Sequence, residues 1–423
     1  MTAEGSSAGR GGPAATAGAS AQPTESTDGR WLSVVAALVL VGLAFRTQAL
    51  IIGPLVGQVQ ADLSMSHAVA GLLGTIPVLC MGLLAPLGPV LAASVGPKLA
   101  VAVCVGLVAT FGVARALLPD AGTVLLATVG LGVGMALVGP ILPMIVRARL
   151  PNNPAAGTGA YVVGFVIGGT ITAAVAVPLA DVFGGWRGSF LIVSAFGFAS
   201  LGAWYWLMPR DDGHVRVAPS RPKLPWRRPS AWLLGAIFGS QSILFYGCIT
   251  WLGSIYVERG WTAAQAGGLI ALLTGICLVS TLAVPVFADR LGSRRSQLTL
   301  AALASVAGAL IVALTGGEAP GSLVSYAAAA LLGLGIGAYF PLALTLPVDV
   351  ASDAADAASI SALMLLIGYL LAATSPVVLG IVRDATGNFE VVVWILVVIA
   401  AAMVPLALAL NPSRLRSAGA TRT

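Results

Sequence analysis

From Trp31 onward the chain is a succession of long apolar runs separated by short polar breaks. A membrane-crossing helix needs about 20 apolar residues at 1.5 Å rise each, and the pattern predicts twelve of them. They run from Trp31 to Val56, Ala68 to Ser94, Leu99 to Leu118, Val124 to Val146, Gly157 to Leu179, Trp186 to Leu207, Trp232 to Tyr256, Ala266 to Phe287, Leu298 to Leu314, Leu323 to Pro347, Ile360 to Val382 and Val391 to Leu410. Glycines and prolines inside the runs predict kinks, which spans tolerate when neighbours satisfy the freed backbone groups. The expected fold class is all-α integral membrane.

Composition agrees: of 423 residues, 58% are hydrophobic and 9% charged, against roughly 25% charged in a soluble domain. The first thirty residues are rich in Gly, Ala, Ser and Thr and hold too few large apolar side chains to build a core, so a disordered tail is expected. No apolar segment precedes Trp31, so no cleavable signal peptide is expected.

An even number of spans puts both tails on one side. Arg147, Arg149, Arg210, Arg216, Arg221, Lys223, Arg227, Arg228, Arg290, Arg294 and Arg295 fall in connections on the tail side, whereas the opposite side is expected to hold only Arg115, Arg187, Arg259 and Arg383. By the positive-inside rule the tails are cytoplasmic, in the cytoplasmic (inner) membrane. The net charge of +6 follows from that bias. It calls for contact with anionic membrane lipid rather than nucleic acid. Cys80, Cys104, Cys248 and Cys277 sit inside spans without paired spacing and read as small apolar residues, not ligands or disulfides.

The two halves repeat. "GLGVG" at Gly130 returns as "GLGIG" at Gly333, a spacing of 203. Asp181 and Gly184 of "PLADVFGGW" match Asp384 and Gly387 of "GIVRDATGNF" at the same spacing, while Gly71 and Pro89 match Gly267 and Pro285 at 196. The expected organisation is a tail (1–30), a six-helix bundle (31–208), a polar linker (209–229), a second six-helix bundle (230–411) and a short tail (412–423). Duplicated bundles of this kind place a substrate at the midplane between them.

"VPVFADRLGSRRSQL" carries Asp289, Arg290, Gly292, Arg294 and Arg295 in the pattern that marks the loop between the second and third spans of each half in the major facilitator superfamily. The corresponding "GPVLAASVGPKLA" has Ala93 and Ser94 instead of Asp and Arg, so the signature occurs once. Asp289, Arg290 and Arg294 are the expected latch on the tail side. Within the superfamily the chain resembles the branch named for cyanate and 2-nitroimidazole transporters, through "FRTQALIIGPL", "AGLLGTIPVLCMGLLAPL", "ILPMIVRARLP", "GSQSILFYGCITWL", "GLGIGAYFPLALTLPVD" and "SALMLLIGYLLAATSPVVLGIVRDATG". The resemblance implies the major facilitator fold and small-molecule transport, and matches Arg46 to the branch's first-span arginine. Ala44, Thr47, Gly139 and Leu365 stand where the branch favours Asn, Pro, Asn and Gln, which implies a roomier, more apolar site.

Arg46 lies deep in the first span. A central arginine costs roughly 2.5–3.5 kcal/mol on insertion scales, so it should face a wet or protein-lined cavity. Gly42, Arg46 and Gly53 share a helical stripe, and the glycines are expected to leave room beside the guanidinium. Since no deep carboxylate is evident, its counter-ion is expected to be an anionic substrate; a structural arginine bonded to kink-freed carbonyls is the alternative. In the seventh span Ser242, Tyr246 and Thr250 form a polar line at i, i+4 and i+8. Gln241 and Trp251 should face elsewhere. Tyr161, Tyr339 and Tyr369 are further candidates, and His67 and His214 read as surface residues. The glycines Gly130, Gly132, Gly134, Gly139, Gly164 and Gly168 read as close-packing surfaces.

No metal cluster, catalytic triad or phosphate-cradling loop is visible, and no cofactor is expected. Without an ATP-binding domain or a deep acid, the drive would come from a proton or counter-anion gradient, from exchange, or from facilitated diffusion. The expectation is a monomeric, non-enzymatic transporter of a small anion with Arg46 as main ligand. The rivals are a multidrug exporter and a membrane receptor without flux.

Overall fold

A computed structural model describes residues 25–151, 153–209, 224–287, 293–315 and 321–410. Residues 1–24 of the expected disordered tail, most of the linker, and Asp289 and Arg290 lie outside that set, whereas residues 25–30, expected in the tail, are helical and belong to the first helix.

The described residues fold into helices α1 (Glu25–Leu50), α2 (Ile52–Leu63), α3 (His67–Leu84), α4 (Gly88–Val95), α5 (Pro97–Leu117), α6 (Ala121–Arg149), α7 (Pro154–Val182), α8 (Trp186–Leu207), α9 (Pro229–Glu258), α10 (Ala263–Phe287), α11 (Arg294–Leu314), α12 (Leu323–Val350), α13 (Ala354–Thr386) and α14 (Glu390–Ala409). Among the described residues, twelve spans are long and apolar enough to cross a membrane. The protein is a multi-pass, all-α membrane protein.

Most helices outrun the apolar runs that announce them, because polar caps lie just beyond. Asp120 accepts a hydrogen bond from the backbone N–H of Thr123 at the start of α6, and Ser66, Ser293, Ser322 and Asp353 do the same for α3, α11, α12 and α13. Proline breaks two spans. The first bends at Ile51, between α1 and α2, three residues before Pro54, which has no N–H to give to the preceding turn. The second passes through a single 3-10 turn, Ala85–Leu87, carrying Pro86.

The repeat is visible in three dimensions. Gly184 and Gly387 turn the chain with φ of 77° and 76°, the left-handed conformation glycine adopts freely. Gly71 of α3 abuts the carbonyl of Pro376 on α13, and Gly267 of α10 abuts the carbonyl of Ala173 on α7. Ala173 and Pro376 are themselves 203 apart. Each crossing leans on a glycine because in lipid no water-driven force holds helices together, so close backbone approach must.

These crossings join the two halves, and they gather on the side away from the tails, called here the far side. One apolar cluster spans both halves there, uniting Leu50 to Val59 of the first span with Leu244, Trp251 and Tyr256 of α9. A second cluster, around Phe45, Leu142 and Trp204, stays within the first half toward the tails. There the halves part. At Gly139, near the tail end of α6, an added Cβ would meet open space, so this glycine is not a packing surface as the sequence led us to expect.

The far side is closed by a polar contact as well. The Asp384 carboxylate, near the end of α13, accepts the backbone N–H groups of His67 (3.0 Å) and Ala68 (2.8 Å) at the start of α3 and lies 2.7 Å from His67 Nδ1. A carboxylate from one half thus caps the positive end of a helix from the other. His67, expected at the surface, is partly exposed and tied into this contact. Asp181, the repeat mate of Asp384, is exposed and has no hydrogen-bond or ion-pair partner among the described residues.

Candidate functional site

Arg46 stands 15 residues after Trp31 and 17 before Leu63, the end of α2, which places it near the middle of the first span. It is half-buried. Its guanidinium carbon lies 5.2 Å from the centroid of the Phe245 ring on α9, a cation–π contact across the two halves. No hydrogen bond or ion pair engages it among the described residues, so its donors stay available. The sequence reading of where the room comes from needs correction. Gly42 is pressed against the backbone of Tyr161 and Phe165 and Gly53 against the carbonyl of Ile249; both serve helix crossings. Gly169 of α7 makes the space instead: a Cβ there would meet the Leu50 tip and the Arg46 stem.

One turn further along the stripe lies a pocket lined by Ala49, Leu50, Gly53, Pro77, Met81, Met135, Tyr246 and Thr250, among others. Its walls come from both halves and are mostly apolar. Arg46 is not on the wall; it stands beside it. Tyr369 packs edge-on to Phe238 (5.5 Å, 88°), shares a small apolar cluster with Tyr246 and Val78, and lies within electrostatic reach of Arg46 and Tyr246. The arrangement therefore offers a cation with free donors, aromatic faces and an apolar recess, a set suited to a planar or charge-delocalised solute.

The remaining candidates separate. Tyr246 and Thr250 line the pocket, whereas Ser242, on the same helical line, gives its hydroxyl to Gln241 Oε1 (3.1 Å), and Gln241 in turn reaches the Ile336 carbonyl. Ser242 is thus drawn toward α12 by the neighbour it was expected to part from. Tyr161 packs edge-on to Phe165, and Tyr339 is fully buried inside the second half. Ala44 is buried and accepts a hydrogen bond from Thr47, while Gly139 borders open space. Arg294 lies 3.6 Å from Asp349, and both belong to the second half. That pair ties α11 to α12 rather than one half to the other.

Arg115 lies on the far side, as expected, but its enclosure was not foreseen. It is 1% exposed, with its guanidinium over Phe190 and donating to Gln48. A clue was present in Gln48, an amide deep in the first span that must find a buried partner.

The family model of the Major Facilitator Superfamily matches residues 34–376. The chain belongs to that superfamily. This transporter is 30% identical over 363 residues to the 2-nitroimidazole transporter of Escherichia coli (strain K12), covering 85% of this chain and 90% of that one. It is 30% identical over 352 residues to the cyanate transport protein CynX of the same organism, covering 83% and 90%, and 30% identical over 370 residues to the uncharacterized transporter YycB of Bacillus subtilis (strain 168), covering 87% and 90%. Among solved structures, the nucleoside transporter NupG aligns with TM-score 0.73 at 13% identity over 89% of this chain and 99% of its own. The D-xylose-proton symporter aligns with TM-score 0.71 at 16% identity over 89% and 96%. Those two share the fold. With such relatives this superfamily member is a transporter and not an enzyme, and its cargo is a small molecule.

Proposed function

We propose that the protein carries a small anion, of cyanate-like, carboxylate or nitro-aromatic type, across the cytoplasmic membrane by alternating access, with Arg46 as the principal ligand. The observation that carries this reading is a mid-membrane guanidinium beside a pocket shared by both halves, with free donors and no carboxylate partner among the described residues. A buried charge is costly unless something completes it, and a fork of donors suits a planar anion. The names of the two Escherichia coli relatives, with cyanate and 2-nitroimidazole as cargo, agree in size and shape. Tyr246 closes over the ligand, and Phe245 and Tyr369 offer it their faces. The tails face the cytoplasm, as the basic loops require. Each wall of the site comes from one chain, so a monomer suffices. The cycle runs on a proton or counter-anion gradient, or on exchange.

The test is thermal stabilisation of purified wild type and Arg46→Ala by cyanate, benzoate, 2-nitroimidazole and a neutral lipophilic drug. Stabilisation by an anion or the nitro-aromatic in wild type, weakened about tenfold or more in apparent affinity in the variant, supports the reading. Equal stabilisation of both proteins overturns it. One observation favours the multidrug alternative: the pocket wall itself is apolar and carries Met81 and Met135, side chains that adapt to varied cargo. That alternative requires the neutral drug to bind with or without Arg46.

A further inference from the structure

Arg115, near the end of α5, is fully enclosed in the first half and has no carboxylate partner among the described residues. Its Nη2 donates to Gln48 twice over, to the side-chain Oε1 at 3.0 Å and to the backbone carbonyl at 3.3 Å. Gln48 is itself wholly buried and passes its amide Nε2 to Ser194 Oγ at 2.9 Å; the hydroxyl of Ser194 bonds the Phe190 carbonyl. Phe190 supplies the ring, 4.9 Å away, on which the Arg115 guanidinium rests. The crossing closes this tightly because Gly112 has no side chain, and a Cβ there would run into both Gln48 and Ser194.

The target of this network is significant. The first span breaks at Ile51, between α1 and α2, and the Gln48 carbonyl is the one a continuous helix would assign to the N–H of Ile52, the first residue beyond the break. Arg115 therefore fastens the carbonyl that flanks the bend, and through Oε1 it also fixes how far α1 can rotate. Two residues back, about 200° around the helix, is Arg46. One face of α1 is clamped by Arg115; the opposite face presents Arg46 to the space between the halves.

We propose that Arg115 is a positioning residue of the substrate site: with Gln48 and Ser194 it holds the bend of the first span and so sets where the Arg46 guanidinium stands. This rests on the reading of Arg46 as a ligand, and the experiment separates the two.

The full-length protein, with its four native cysteines replaced and a reporter introduced as Ala49→Cys on the pocket wall, is alkylated by a small water-soluble thiol reagent in detergent. Binding of cyanate and 2-nitroimidazole is measured in parallel. Arg115→Leu is expected to change the alkylation rate several-fold and to weaken binding about tenfold. Arg115→Lys, which keeps the charge but loses the fork, should recover part of both. If Arg115→Leu does not fold, Ser194→Ala removes only the far partner of Gln48 and should move both readouts in the same direction by less. Unchanged alkylation in a folded Arg115→Leu or Ser194→Ala protein overturns the proposal. So does altered alkylation with unchanged binding, provided Arg46→Gln abolishes that binding. If Arg46→Gln also leaves binding intact, the failure belongs to the Arg46 reading, and the alkylation result alone decides whether Arg115 holds the bend.

Discussion

A single side chain can be placed near a charge only if something else gives way, and around Arg46 it is Gly169 that does. Its missing Cβ accommodates the arginine stem and the Leu50 tip together. Gly169→Val is therefore expected to displace the guanidinium from Phe245 and to weaken anion binding about tenfold, a cation–π contact contributing roughly 0.5–2 kcal/mol. Binding measured beside a melting curve checks this; a variant that binds as wild type would make the contact incidental. At this scale Arg46 was legible because a charge amid apolar residues is conspicuous. Arg115 was not. It lies three residues short of the polar turn at Leu118–Asp120, and its stem reaches back into the bundle, a freedom of long side chains that sequence position conceals.

Elements were legible wherever hydrophobicity alone sets their length, and less so at their ends, where polar caps extend them. Asp120 is such an end. Hydrogen bonds from the Thr123 side chain and backbone hold its carboxyl below the usual carboxylate range. With the folded value depressed, its contribution to stability is complete above the unfolded carboxylate value and is lost as pH falls through the folded one. Asp120→Ala should therefore melt somewhat below wild type at neutral pH, and the gap should close at acid pH, below the range where free carboxylates titrate. A gap that persists there would assign the loss to something other than the cap. The glycine motifs teach a different limit. Gly132 and Gly335 are equivalent by the repeat, yet the first packs on Pro77 and Cys80 of α3 and the second on Ser305 of α11. A repeat in sequence fixes which face is smooth, and the neighbouring side chains choose what fills it.

For the whole molecule the duplication announced two bundles, and the paired crossings of Gly71 on Pro376 and Gly267 on Ala173 join them. What no pattern revealed is which side is closed, since that depends on contacts between residues far apart in the chain, Gly267 on Ala173 and His67 on Asp384 among them. The Asp384 carboxylate against the start of α3 is the polar part of that closure. Asp384→Ala is expected to shift the population toward a far-side-open form by about tenfold, the equivalent of roughly 1.4 kcal/mol from hydrogen bonds to a partly exposed charge. Labelling of Thr250→Cys by a membrane-impermeant thiol reagent added from the far side should rise accordingly. If it does not, the apolar cluster alone keeps that side shut.

The contacts that join the halves gather on the far side, where the Asp384 carboxylate adds a polar tie, so the two doors of the carrier are unequal in this structure. A site that opens toward the tails is met directly by solute arriving there, whereas solute on the far side binds only the fraction of molecules that have unlatched. Half-saturation should then require less solute on the tail side than on the far side, even if the pocket holds it equally well in both forms. The final distribution of cargo owes nothing to that asymmetry; how sparingly each compartment can be sampled does.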